Sequence, residues 1–97
     1  MAAYLIANIE VHDPEGFARY GALVAPMVAR FGGRYLVRGG NLETLEGQPG
    51  LNRLVILEYP DMASLRAFYF SEDYKPLLAL REAATTSHVT LAEGYAP

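Results

Sequence analysis

The chain is 97 residues long, 52% hydrophobic and 20% charged, with a formal net charge of -3 and a pI near 5.2. That is one small domain, residues 1–97, of ordinary globular balance, and its acidic charge argues against nucleic acid or an anionic membrane as partner. There is no Cys, so disulfides, thiol catalysis and thiolate metal sites are excluded.

The first stretch, Ala3 to Val11, is apolar on both faces and reads as an inner strand. Met1 to Ile9 lacks a basic n-region, and Asn8 and Glu10 interrupt any signal-like apolar core. No run approaches membrane-spanning length. The expectation is a soluble cytoplasmic protein. Asp13-Pro14 is a helix start, with Asp as cap, Pro in the first turn and Glu15 near the positive end of the dipole. The predicted helix runs from Pro14 to Phe31, with Phe17, Tyr20, Val24, Met27 and Phe31 forming one apolar stripe. Pro26 removes a hydrogen bond inside it and predicts a kink near Ala22 to Val24. Gly32-Gly33 ends it.

Arg34 to Arg38 is the next strand, broken by Gly39-Gly40. Leu42 to Leu45 is read as a short extended piece before a turn at Gly47 to Gly50. Asn52 to Pro60 holds four consecutive apolar residues, Leu54 to Leu57, followed by Glu58. It reads as a central strand covered front and back, ended by Pro60. Asp61 caps a second helix carrying Met62, Leu65, Phe68 and Tyr69. Ser71-Glu72-Asp73 restarts a helix that carries Leu77, Leu78, Leu80 and Arg81. Thr85-Thr86-Ser87 disfavours more helix, and His88 to Glu93 is read as the last strand.

The order β-α-β-β-α-β with right-handed crossovers gives an α+β, ferredoxin-like domain. It is a four-stranded antiparallel sheet with both helices on one face and the first and third strands central. The inner strands are apolar on the face the helices leave bare. A soluble monomer rarely exposes that much apolar surface, so the expected partner is a second copy, sheet against sheet in a twofold homodimer.

Several stretches, taken in order, resemble the domain of unknown function 1330 family. They are Tyr4 to Val11, Asp13-Pro14-Glu15, Gly32-Gly33-Arg34, Arg38-Gly39-Gly40, Leu45-Glu46-Gly47, Glu58-Tyr59-Pro60, Tyr69-Phe70-Ser71 with Tyr74, and Leu80-Arg81. The resemblance spans nearly the whole chain and implies a dimeric α/β barrel. That superfamily includes cofactor-free monooxygenases, muconolactone-isomerase-like proteins and haem-binding members. The family has no agreed reaction, so it supplies no catalytic residues.

The residues themselves suggest a pocket. Glu58, desolvated in a doubly covered strand, would have a raised pKa and suit a general acid or base; the alternative is a salt bridge to Arg34 or Arg38. Arg38 beside Gly39-Gly40 is an anion anchor or a paired strand-end residue. Glu46 beside Gly47 is a pocket residue or a solvated loop residue. Asn8 in an inner strand contacts a ligand or is a satisfied structural amide. Tyr69 and Tyr74, with Tyr20, wall an aromatic pocket or are plain core. His12 and His88 are placed side by side by the expected strand pairing, as a pH-sensitive or metal-binding pair or as two exposed edge residues. No glycine loop has nucleotide-binding spacing, and no metal or other cofactor is called for. Two readings stand: a small cofactor-free enzyme on a small organic substrate, neutral or anionic, with Glu58 as acid/base, or a non-catalytic ligand-binding or stress-linked homodimer.

Overall fold

The computed structural model describes residues 1–97. The elements are β1 (Ala3–Val11), α1 (Pro14–Arg30), β2 (Arg34–Arg38), β3 (Arg53–Tyr59), α2 (Met62–Tyr69), α3 (Lys75–Ala84) and β4 (Thr85–Glu93). The strands form one antiparallel sheet in the order β2-β3-β1-β4, with β1 and β3 inside as the topology argument expects.

Local chemistry explains each helix. The Asp13 carboxylate accepts from the Gly16 N–H, and Pro14 and Glu15 fill the first turn of α1. The helix runs unbroken through Pro26 to Arg30. It closes where Gly32, at φ +90, turns the chain so that the Gly33 N–H reaches the Val28 carbonyl at 2.9 Å. Asp61 caps α2 by accepting from the Ser64 N–H at 2.7 Å. Ser71 separates α2 from α3: its Oγ donates to the Phe68 carbonyl and accepts from the Tyr74 N–H.

Alternation along β1 divides the sheet. Ala3, Leu5, Ala7 and Ile9 are buried under the helices with Val24, Val28, Leu57, Leu65, Phe68 and Tyr74. Tyr4, Ile6, Asn8 and Glu10 point the other way, where β1 sets them beside Glu58, Ile56 and Leu54 of β3. Within one chain that second face is uncovered, and Ile6 is 37% exposed. The molecule is a slab, 36 × 33 × 16 Å, one layer of helices on one layer of strands.

Three details differ from the sequence reading. The last strand begins at Thr85, three residues before His88, because Thr85, Thr86 and Ser87 pair with Val11, Glu10 and Ile9. Thr85 Oγ1 donates to the Arg81 carbonyl and closes α3 directly into β4. Leu42 to Leu45 forms no strand; it lies in an exposed loop with no sheet partner. Finally, β2 carries a bulge between Tyr35 and Val37. Regular alternation would send Tyr35 and Arg38 to opposite faces. The extra residue puts both on the helix side, opposite Leu57 and Val55.

Candidate anion-binding cavity

Between sheet and helices lies a cavity of about 70 Å3. The α1 stripe provides Phe17, Tyr20, Val24 and Val28 at helical spacing, and β1 provides Leu5, Ala7 and Ile9 at strand spacing. The remaining apolar wall comes from Tyr35, Val55, Leu57, Phe68, Tyr69, Tyr74 and Val89.

The charged groups on this wall are Arg38, Arg53 and Arg81, with no Asp or Glu among the lining residues. Arg81 is 5% exposed. It occupies the inward position of α3, four residues after Leu77 and three after Leu78, where the pattern calls for an apolar side chain. Its Nη2 donates to the Tyr69 hydroxyl at 3.3 Å, and its Nε is buried with no acceptor. No carboxylate pairs with it. Burial pulls its pKa down, but the oxygens of Tyr74, Tyr20 and Tyr69 outweigh this and the net direction is upward. Arg81 is therefore a buried, permanent cation.

Three phenols surround it. The Tyr20 and Tyr74 hydroxyls are hydrogen-bonded to each other at 2.8 Å. Burial pushes both phenols above their usual range, so at neutral pH they hold their protons and act as donors, not bases. At the β2 side, Arg38 stacks on the Tyr35 ring at 4.4 Å and donates to the Gly21 carbonyl at 3.3 Å. Arg53 lies over Phe17 at 5.3 Å, and its Nε is buried without an acceptor.

The sequence candidates separate into two groups. Tyr20, Arg38 and Tyr69 meet in this cavity. Glu58, Asn8, His88 and Glu46 do not. Glu58 sits on the opposite face of the sheet: Oε1 accepts from Arg34 Nε at 2.7 Å, and Oε2 accepts from the Tyr4 hydroxyl at 3.1 Å. These donors, Arg34 first, hold its pKa below the usual carboxylate value. The expected raised pKa is thus reversed, because one face of β3 is open and Arg34 stands across from Glu58 on β2. Asn8 is a satisfied amide, donating to the Gly50 carbonyl and accepting from the Asn52 N–H at 2.8 Å. His88 lies across from Asn8 on the same open face. His12 bonds Thr86 Oγ1 at 2.7 Å; since Thr86 pairs with Glu10, the two histidines are not neighbours. No cluster of three metal-ligating side chains forms. Glu46 is exposed in the loop.

Arg53 and Arg81 escaped the sequence reading as site residues. Arg53 carried one signal, an odd-numbered place on β3 shared with Val55, Leu57 and Tyr59. Arg81 carried another, its spacing from Leu77 and Leu78.

These features define a ferredoxin-like α+β domain with a cationic interior cavity. The chain belongs to the family described as Domain of unknown function (DUF1330), whose model matches residues 2–95. Among solved structures, it is similar to the RPA0582 protein of unknown function from Rhodopseudomonas palustris. That match has 21% identity and a TM-score of 0.78, and covers 99% of this chain and 84% of that one. It is also similar to SnoaB, a cofactor-independent oxygenase from Streptomyces nogalater (18% identity, TM-score 0.64, 99% and 95% covered). A third is a dimeric ferredoxin-like protein of unknown function from Jannaschia sp. CCS1 (14% identity, TM-score 0.69, 97% and 100% covered). No curated protein matches the sequence. No helix is long and apolar enough to cross a membrane.

Proposed function

We propose that this protein binds a small organic anion in the cavity between its sheet and helices, with Arg81 as the counter-charge. The observation that carries this reading is a cation, 5% exposed, that lacks any carboxylate partner and has a free Nε. An unpaired buried charge costs several kcal/mol. A ligand carboxylate or enolate would offset that cost with charge-assisted hydrogen bonds. Tyr69 and one hydroxyl of the Tyr20–Tyr74 pair, whose other proton is spent within the pair, add donors to the same oxyanion, and the apolar wall takes the carbon skeleton.

A second reading, cofactor-free turnover, draws on the shared fold with SnoaB and on the cluster itself. A guanidinium among phenols suits an oxyanion formed during reaction. This chain would stabilise such a charge but lacks a carboxylate or imidazole in the cavity to abstract the proton. The substrate would have to be acidic enough to lose its proton to solvent water and bind as the anion, and Glu58, on the other face of the sheet, has no part in that step.

The same proposal includes a homodimer through the open sheet face. Ile6, Leu54, Ile56 and Val37 lie there with nothing over them in a single chain, and the Jannaschia relative is described as dimeric. Native mass spectrometry of gently purified protein tests both parts at once. The expected result is a twofold mass that releases a small anion on activation. A bare single-subunit mass would contradict both.

A further inference from the structure

Arg81 is one of three cations on the cavity wall, and a single ligand charge leaves two unmatched. Arg38 and Arg53 form no ion pair. Arg38 reaches the cavity only because the β2 bulge turns it inward, and its sole polar contact is a 3.3 Å bond to the Gly21 carbonyl. Arg53 presents a buried Nε with no acceptor. Its seat is shaped for it: Gly39, at φ +71, has no side chain, and one placed there would collide with the Arg53 guanidinium. Arg38 stands on edge strand β2 and Arg53 on β3 beside it, whereas Arg81 comes from α3, which runs straight into β4 at the other edge.

We infer that the cavity takes a short dianion, with one acid on Arg81 and the second on the Arg38–Arg53 pair. This rests on the anion-binding reading of Arg81 and adds a second subsite to it. The interior has room for roughly five water-sized groups. The ligand is therefore a short dicarboxylate, its inner acid and spacer enclosed and its outer acid at the mouth, where Arg38 is exposed.

Calorimetric titration with glutarate and with pentanoate, which share a carbon count, tests the inference. The full-length protein is expected to bind glutarate at least tenfold more tightly. Arg38→Gln, an exposed position that leaves the core intact, should remove most of that preference, and Arg53→Gln should do the same. Arg81→Met should abolish binding of both probes. Equal affinities in the parent, with binding still lost in Arg81→Met, would overturn the second subsite and leave the Arg81 site standing. Unchanged binding in Arg81→Met would overturn the Arg81 reading and the inference with it. Failure of both probes to bind at millimolar concentration would overturn the dicarboxylate assignment.

Discussion

The ionisable groups of this chain have different tasks on the two faces of one sheet. Under the helices, burial keeps the Tyr20 and Tyr74 protons in place, whereas an unfolded tyrosine releases its proton near 10.0. The folded state thus binds more protons than the unfolded one at alkaline pH, and stability falls as pH rises above 10.0. On the open face, Arg34 holds Glu58 ionised below its ordinary value of 4.5. Its contribution is complete above 4.5 and is lost as pH falls through its folded-state value. Urea midpoints measured against pH should therefore decline at both ends. Stability still rising beyond the tyrosine range would contradict the burial of these phenols. Tyr20, Tyr69 and Arg38 were legible as pocket residues because aromatic spacing and an Arg-Gly-Gly turn are visible in sequence. For Glu58, the salt bridge to Arg34 is what formed and the raised pKa is not: a run of four apolar residues signals two covered faces but does not say that one of them is left open within the single chain. Arg81 was overlooked as a site residue because long cationic side chains usually snorkel to solvent.

At the scale of elements, most boundaries followed from caps and breakers: Asp13-Pro14, Gly32-Gly33, Pro60-Asp61 and Ser71. The β2 bulge did not, since nothing in Arg-Tyr-Leu-Val-Arg marks where a residue is inserted. That bulge decides which side Arg38 serves. Its C-terminal end is held by Gly39, whose N–H donates to the Leu54 carbonyl at 2.9 Å. Gly39→Ala should cost about 1–3 kcal/mol from the left-handed backbone, plus the displacement of Arg53. Gly47, at φ +73 with open space around it, carries the backbone cost alone and serves as the control. Urea unfolding should show Gly39→Ala the more damaging of the two. Equal losses would mean that Arg53 is not seated against Gly39. The β4 start was misplaced because Thr85-Thr86-Ser87 reads as a break, yet β-branched Thr also suits a strand that pairs with β1.

As a whole molecule, the chain buries only 15 of its 97 residues, so its core is thin and its bare sheet face is broad. Cavity and bare face lie on opposite sides of the same strands. On the proposed reading, ligand binding and association would each use their own alternate residues of one sheet. In so small a core, one unpaired cation weighs on the stability of the entire fold. Replacing Arg81 with an apolar side chain of similar length should relieve that cost, at about 4–8 °C in melting temperature for each kcal/mol gained. The direct test compares the melting temperatures of dialysed parent and Arg81→Met, with and without glutarate. The expected result is a variant that melts higher than the parent and ignores glutarate, while the parent rises with added ligand. A variant that melts lower and is still stabilised by glutarate would contradict an anion site built on Arg81.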